Sequence, residues 1–496
     1  MQLFDIPEEV LAVGEKLAKA GFEAYLVGGC VRDLYQKTIH SEYVEPNDWD
    51  IATNALPDKV QELFEDSMYE NDFGTVGVKT ESEDPRLKII EVTTFRVEGA
   101  YSDNRRPDEV QFVHTIEEDL ARRDFTINAM AINLQMAKNK WQMADPFGGE
   151  GDLKKKVIRA VGNAEERFEE DALRLLRAVR FSAQLGFKIE DATAKAIKKK
   201  ARLLKHIAAE RIRDEFRKLI ETPLAAEGVF ALEEYGLLEF IAPELREGIG
   251  CKQNKHHVYE VFEHNVRALE YAAKKNYPLE VRLASLLHDM GKPHTKRGRG
   301  EEATFYGHEV VGARMAKDIL IHLKFPKETI ERVRHLIRYH MFYYNVGEVS
   351  AAGVRRFLAR VGVENIDDIM KVREADRIGS KVPKAFPYKL RHLLFMIEKV
   401  RHDPLHPKML SVKGDEVMKL LNIPAGPKVG NILFVLLDEV LDDPEKNNRN
   451  YLEEKIKELG ELTEKELARR ALEARKKRDE AEEEIEKGMK DKYYVK

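Results

Sequence analysis

What this chain lacks narrows the reading first. Its 496 residues contain two cysteines, Cys30 and Cys251. They lie far apart without metal-ligand spacing, which leaves no disulfide framework and fits a reducing cytosol. No apolar run reaches about 18 residues and no apolar segment follows a basic start, so neither a membrane span nor a secretion signal is expected. There is no basic excess either: 83 Lys and Arg stand against 88 Asp and Glu, a formal net charge of −5. A uniformly basic nucleic-acid surface is thereby excluded, and any RNA contact must rest on local basic patches. No repeat with a period of about 20–50 residues is present. What remains is an ordinary apolar fraction of 43% and a high charged fraction of 34% with both signs mixed. At roughly 150 residues per domain, that is chain enough for about three domains.

The chain is organised around Tyr25 to Thr53. Ala24 to Val27 is a short apolar run, broken by Gly28 and Gly29, and Cys30 to Tyr35 can start a helix. Glycines before a helix N-terminus let backbone approach a phosphate closely, and the free N–H groups there attract anions. Arg32 and Asp33 follow within the first turn, and Asp48-Trp49-Asp50 then runs into Ile51. On a strand, Asp48 and Asp50 would face the same side as paired carboxylates. Oxygen-only ligands suit Mg²⁺, which keeps waters and substrate phosphate oxygens in its shell. Two carboxylates beside a phosphate cradle point to nucleotidyl transfer. Taken singly, the glycine pair also reads as a plain turn and the acidic pair as a surface strand end.

These residues resemble the bacterial class II tRNA nucleotidyltransferase and poly(A) polymerase family. Its members carry G-G-x-V-R-D followed by D-x-D, here Gly28, Gly29, Val31, Arg32, Asp33, Asp48 and Asp50. The segment RRDFTINAMA, from Arg122, is similar to a second family signature, and by that resemblance Arg123, Asp124 and Asn128 contact ribose and triphosphate. Read alone, it is a helix capped by Asp124. Glu91, inside the apolar run LKIIEVTTF, reads either as an edge or ion-paired position or as a third acid beside Asp48 and Asp50. Arg96 to Val113 is polar and turn-rich, a mobile loop by composition. Family members that add adenosine have such a loop, which argues against CC-only addition.

Residues 5–20 predict an amphipathic helix with Asp5 as its cap and Gly21 as its stop. Pro57 opens a second helix through Phe64, and Phe73–Lys79 and Leu87–Phe95 predict strands. After Asp145-Pro146-Phe147-Gly148-Gly149 the pattern turns almost wholly helical. In EEDALRLLRAVRF, Asp171 and Arg174 are three apart, so they would share a helix face, with an i,i+3 ion pair as the default. A chemical alternative exists. Cytosine and adenine both present an amino donor beside a ring-nitrogen acceptor, which a carboxylate and a guanidinium complement; uracil and guanine present the reverse. The family's E-D-x-x-R motif, here Glu170, Asp171 and Arg174, matches that alternative. Arg177 and Arg180 follow in steps of three, facing phosphate or packing at the helix rim. Glu210, Arg211 and Glu215 resemble a further family element, read as helix support.

From about residue 225 histidines appear. Any one of them reads as a packed or surface residue. The succession His264, His288-Asp289 and Asp376 resembles the HD phosphohydrolase superfamily, whose mixed imidazole and carboxylate ligands suit a divalent transition metal. His308, His335 and His340 are candidates for a second metal. Some family members carry such a domain, with phosphatase and 2′,3′-cyclic phosphodiesterase activity. Lys408–Val440 predicts helix broken at Pro424 and Gly426, resembling a tail that helps hold tRNA. Residues 451–496, dominated by Glu, Lys and Arg, read as a solvated helix or frayed tail. Lys154–Lys156, Lys198–Lys200 and Arg211/Arg213/Arg217 are candidate phosphate contacts or simply solvated faces.

The resemblance implies an α/β head with a polymerase-beta-like mixed sheet (1–150), an all-α neck that reads the base (151–225), an HD domain (226–400) and a helical tail (401–496). It implies two Mg²⁺ ions at Asp48 and Asp50, with CTP, ATP and tRNA as partners and addition of the tRNA 3′-terminal CCA as the reaction. Cytoplasmic location is expected and a homodimer is left open. A-only addition, poly(A) synthesis and an HD hydrolase or regulator with an inactive head stay as alternatives. FGTVGVKT stands where poly(A) polymerases have a basic segment.

Overall fold

The computed structural model describes residues 4–40, 45–71, 74–98, 110–135, 141–253, 258–342, 344–347, 349, 351–382, 384–401 and 410–476. Two compact units emerge, residues 1–341 with 368–383, and residues 342–367 with 384–496. Among the described residues no helix is long and apolar enough to cross a membrane.

The first unit opens with α1 (Glu8–Lys19), acidic in its first turn and basic in its last, as the helix dipole favours. Asp5 does not cap it. Pro7 occupies the N-cap without a side-chain bond, and a residue preceding proline is held extended, so the helix cannot begin earlier. Strands β1 (Ala24–Val27), β2 (Asp50–Thr53), β3 (Ser67–Asn71), β4 (Thr75–Lys79), β5 (Ile89–Thr94), β8 (Ala131–Asn133) and β9 (Met143–Ala144) build one sheet in the order β3-β4-β5-β2-β1-β8-β9. Between β2 and β5 in the chain, β3 is the strand that sequence pattern missed. Its residues are largely polar, because it lies at the sheet edge. Strands β2 and β5 pair parallel and the other neighbours antiparallel, so the sheet is mixed as expected.

Register decides the chemistry. Val27 pairs with Asp50, Asp50 with Glu91 and Glu91 with Gly77. Directly paired residues share a face, so Asp50 and Glu91 stand side by side across two strands. Asp48 precedes β2 rather than lying within it. The expected i,i+2 strand geometry is therefore corrected to a loop residue beside a strand residue. Helices α2 (Gly29–His40) and α3 (Pro57–Leu63) follow β1 and β2.

The segment expected as loop is paired at both ends: β6 (Arg96–Glu98) and β7 (Val110–Phe112) form a two-stranded ribbon, while residues 99–109 lie outside the described residues. After α4 (Ile116–Ala121), capped by Thr115, the run through Asn128 is not an α-helix. It makes one 3-10 turn, Thr126–Asn128, and passes into β8. Every residue from Phe125 to Ile132 is buried, so the apolar run records burial on all sides rather than a helical stripe.

The stretch expected as a neck follows, with α5 (Gly149–Lys155), α6 (Ala164–Glu170), α7 (Leu173–Leu185), α8 (Asp191–Lys200), α9 (Ala209–Ile220) and α10 (Ala225–Glu234). A short parallel pair, β10 (Val157–Ile158) and β11 (Lys188–Ile189), staples it. Asp171 falls in the break between α6 and α7, which corrects the expectation that Asp171 and Arg174 share one helix. Then come α11 (Pro243–Arg246), α12 (Val261–Lys274), α13 (Leu279–Leu287), α14 (Lys292–Thr295), α15 (His308–His322) and α16 (Lys327–Tyr339). Gly291 lets this layer close, since a Cβ there would meet the His308 carbonyl at 2.3 Å. On α13, buried Arg282 donates to the Ile220 and Thr222 carbonyls at 3.0 Å each, satisfying the C-terminal end of α9.

The second unit contributes α17 (Ala351–Val361) before α18 (Ile366–Gly379) re-enters the first. It continues with α19 (Tyr388–Arg401), α20 (Gly414–Leu421), α21 (Pro427–Asp442) and α22 (Arg449–Gly460). Val412, Ile432, Leu436, Leu452, Ile456 and Leu467 share one of its cores. The sparse apolar residues after 451 are thus a packed stripe, and a freely solvated or frayed reading is corrected as far as residue 476.

Candidate functional site

A cavity of about 820 Å³ gathers Gly28, Gly29, Arg32, Asp48, Asp50, Arg123, Asp124, Asn128, Asp171, Arg174, Arg177 and Arg180. These residues are drawn from α2, β2, the 3-10 turn and α7, and from the connections just before α2, before β2, after α4 and before α7. Gly28 adopts φ +82°, and a Cβ on it would stand 3.2 Å from both Arg123 Nη1 and Asp50 Oδ2. Only glycine both accepts that conformation and leaves the approach open.

At the sheet end, burial and the neighbouring Asp48 and Glu91 charges push the Asp50 carboxyl up to about 7. Like charges held this close ask for a cation. The oxygen-only donor set fits a hard divalent ion that also binds substrate oxygens. Arg32 joins this end to the 3-10 turn, its Nε donating to Asp33 Oδ1 at 2.8 Å and Nη1 to Asn128 Oδ1 at 2.9 Å. Asp124 is buried, which opposes its charge. The Arg177 guanidinium 2.7 Å away, with Arg174, nevertheless holds it down to about 2. Arg123 pairs with Asp119 at 3.3 Å.

Arg177 and Arg180 are tied within the protein. Arg180 Nε donates to Glu215 Oε2 at 2.6 Å, and Arg177 Nη1 lies 3.7 Å from the same carboxylate. Asp171 and Arg174 do not bond to each other through their side chains, so the default i,i+3 pair is absent. Arg174 Nη1 donates to Glu170 Oε2 at 2.7 Å and Nη2 to the Arg122 carbonyl at 2.9 Å. Asp171 Oδ2 accepts from Arg211 at 2.8 Å.

Sequence reasoning missed two cavity residues with structural consequences. Arg211 was read as helix support or, with Arg213 and Arg217, as a phosphate contact or solvated face, not as a partner of Asp171, yet it lines the cavity. Phe181 carries the Arg180 guanidinium 3.9 Å above its ring and those of Arg177 and Arg32 within 5.4 Å, a cation–π arrangement. An aromatic four residues after Arg177 was the available signal.

The second candidate centre is buried, with Asp289, His308 and Asp376 on the wall of a cavity of about 580 Å³. His264, His288, Asp289 and Asp376 bring donor atoms within 4.8 Å of one another, and Asp289, His308 and His340 form an adjoining group through the shared aspartate. His264 Nε2 lies 3.0 Å from His288 Nε2 and 3.2 Å from Asp289 Oδ2. His335 instead packs its ring at a tilt against Tyr339 and belongs to neither group, which corrects its candidacy. Nδ1 of His288, His308 and His340 each donates to the carbonyl three residues back, at 2.7–2.8 Å. That fixes the tautomer and turns each Nε2 lone pair inward, as metal-ligating histidines are held. Nε2 of His308 and His340 is buried without a hydrogen bond, so the donor set fits a divalent transition metal. Burial opposes charge on His288, yet Asp289 and Asp376 carry it up to about 10. Burial takes His340 down to about 3.

Comparison with known proteins gives three family matches along the chain: Poly A polymerase head domain at residues 24–159, "Probable RNA and SrmB- binding site of polymerase A" at 186–249, and HD domain at 261–379. The chain is 49% identical over 221 residues to the CCA-adding enzyme of Lactobacillus delbrueckii subsp. bulgaricus, spanning 44% of this chain and 52% of that relative, about half its length. It is 32% identical over 451 residues to the CCA-adding enzyme of Geobacillus sp. (strain WCH70), spanning 90% of this chain and 96% of that one. It is 37% identical to the A-adding tRNA nucleotidyltransferase of Deinococcus radiodurans, spanning 67% of this chain and 76% of the relative. Among solved structures, the Bacillus stearothermophilus CCA-adding enzyme in complex with CTP matches with TM-score 0.58 and 28% identity over 91% of this chain and 96% of that one.

Proposed function

Because the chain belongs to the bacterial class II tRNA nucleotidyltransferase and poly(A) polymerase family, with an HD domain after the head, we propose that it adds the 3′-terminal CCA of tRNA from CTP and ATP. The observation that carries this reading is one cavity with paired carboxylates at one end and the separated Asp171 and Arg174 at the other. Asp48 and Asp50 would hold two Mg²⁺, with Glu91 as the neighbouring acid. When bound, these ions would supply activation of the primer's 3′-hydroxyl and charge stabilisation of departing pyrophosphate. The residues of the chain do the rest. The Gly28-Gly29 turn admits triphosphate at the start of α2, where backbone N–H groups and Arg32 meet anionic oxygens. Arg123, Asp124 and Asn128 hold ribose and phosphate. Arg177 and Arg180, tied to Asp124 and Glu215, give a cationic wall without a floppy side chain. Asp171 accepts from the amino group of cytosine or adenine while Arg174 donates to the ring nitrogen.

In this proposal residues 1–150 are the catalytic head, 151–225 the base-reading neck, 226–400 the HD domain and 401–496 a tRNA-contacting tail, acting in the cytoplasm. The His and Asp cluster favours a second activity, phosphatase or cyclic phosphodiesterase chemistry with a transition metal at His264, His288, Asp289 and Asp376.

The test is nucleotide-resolution extension of one tRNA lacking CCA and another lacking only its final A. Growth by three residues followed by a stop supports full CCA addition. One A added only to the CC-ended tRNA makes the protein an A-adding enzyme, long A tails make it a poly(A) polymerase, and no extension overturns the reading.

A further inference from the structure

Asp171 and Arg174 carry opposite charges three residues apart, and left to themselves such neighbours pair with each other. A pair closed on itself offers a base edge nothing. In this structure each is held by a different outside partner. Glu170 takes Arg174 at 2.7 Å, and Arg211 takes Asp171 at 2.8 Å. Asp171 needs this most, because it sits in a helix break, where among the described residues the Leu173 N–H at 3.0 Å fixes its other oxygen.

Arg211 is well built to aim a carboxylate. It comes from α9, one turn before Glu215, so the two share a face of that helix. Glu215 is buried and locked to Arg180 at 2.6 Å, and Arg282 secures the far end of α9. The Arg211 side chain is 31% exposed and lines the cavity. With Arg211 on one oxygen, the Asp171 carboxylate keeps lone pairs for a further donor, since it offers about four acceptor sites.

We propose that Arg211 is a specificity-determining positioning residue. It holds Asp171 away from Arg174 and orients it as an acceptor, so that the pair admits an amino group beside a ring nitrogen and rejects a carbonyl beside a ring N–H. The inference rests on the base-reading role proposed for Asp171 and Arg174.

Single-nucleotide incorporation tests it with the full-length protein. CTP is compared with UTP on tRNA lacking CCA, and ATP with GTP on tRNA ending in CC. In R211M the preference for the correct nucleotide, as a ratio of kcat/KM, falls at least about tenfold, mostly through a higher KM for CTP and ATP. R211K, which keeps the charge but not the fork, lies between. The double variant D171A/R211M discriminates no worse than D171A. Equal losses for correct and wrong nucleotides, or losses that multiply in the double variant, overturn the proposal. If R211M melts below the assay temperature, R211K decides alone: a reduced ratio supports the role and an unchanged one overturns it. If the unaltered chain incorporates neither correct nucleotide, the base-reading role itself fails, and that of Arg211 with it.

Discussion

The head and the HD region each gather metal-type ligands, yet they are built on opposite plans. In the head, acids line one end of an open cavity rich in arginine. Among the described residues the compact donor clusters both lie in the HD region, so the head acids form no such cluster. The HD region closes four imidazoles and two carboxylates on one another in a buried cluster, with three Nδ1 atoms anchored to backbone and only Asp289, His308 and Asp376 of the six on the wall of a second cavity. A site that expects substrate oxygens to complete its shell leaves room and repulsion. A site that holds an ion before substrate arrives supplies its ligands itself. Two candidate metal centres in one chain can thus be told apart by how much of the shell the protein provides.

The largest effect should separate the two outright. Asp48→Ala or Asp50→Ala should lower nucleotide incorporation by at least about a hundredfold to a thousandfold while leaving hydrolysis of a model phosphodiester within about twofold. Loss of both activities together would break the comparison. His288→Ala should do the reverse, removing tightly held transition metal as read by elemental analysis, with incorporation on tRNA retained.

Acidity gives the next contrast. Asp50 sits near 7 through burial and its acidic neighbours, and a metal binds its ionised form. Below that value a proton competes, so the magnesium concentration for half-maximal rate should rise as pH falls, by up to about tenfold per unit. A flat magnesium requirement between pH 5.5 and 7 would contradict the assignment.

The smallest effect is on stability. The folded carboxyl of Asp50 holds its proton to higher pH than the unfolded one. Folding is therefore increasingly penalised as pH rises from about 4 to about 7, and the penalty is complete above that. Without added metal, Asp50→Asn should raise the melting temperature by a few degrees at pH 8 and by almost nothing at pH 4.

The sequence showed the reactive groups better than their partners. Asp48, Asp50, Gly28 and Gly29 lie within one short stretch, so strand, turn and acid could be read in order. The break at Asp171 was invisible because Phe168 and Ala172 keep the i,i+4 spacing of a helix across it. The cavity role of Arg211 was equally hidden, since its partner lies 40 residues earlier in the break before α7 and packing of α9 against α7 joins them. RRDFTINAMAI was misread as helix because burial on every side erases periodicity. The residues after 451 misled by composition, their charges outnumbering the few apolar side chains that enter a core.

Arg282 carries a lesson about ancestry. It belongs to the helix that leads into His288 and Asp289, yet its guanidinium finishes the helix bearing Arg211 and Glu215. The two halves are therefore not beads that a lineage can trade freely. A descendant that sheds the histidine layer must find a new cap for the neck on the same occasion, and one that keeps the layer after its chemistry decays still inherits a reason to preserve this arginine. Arg282 can outlast the histidine cluster as a fossil of the join.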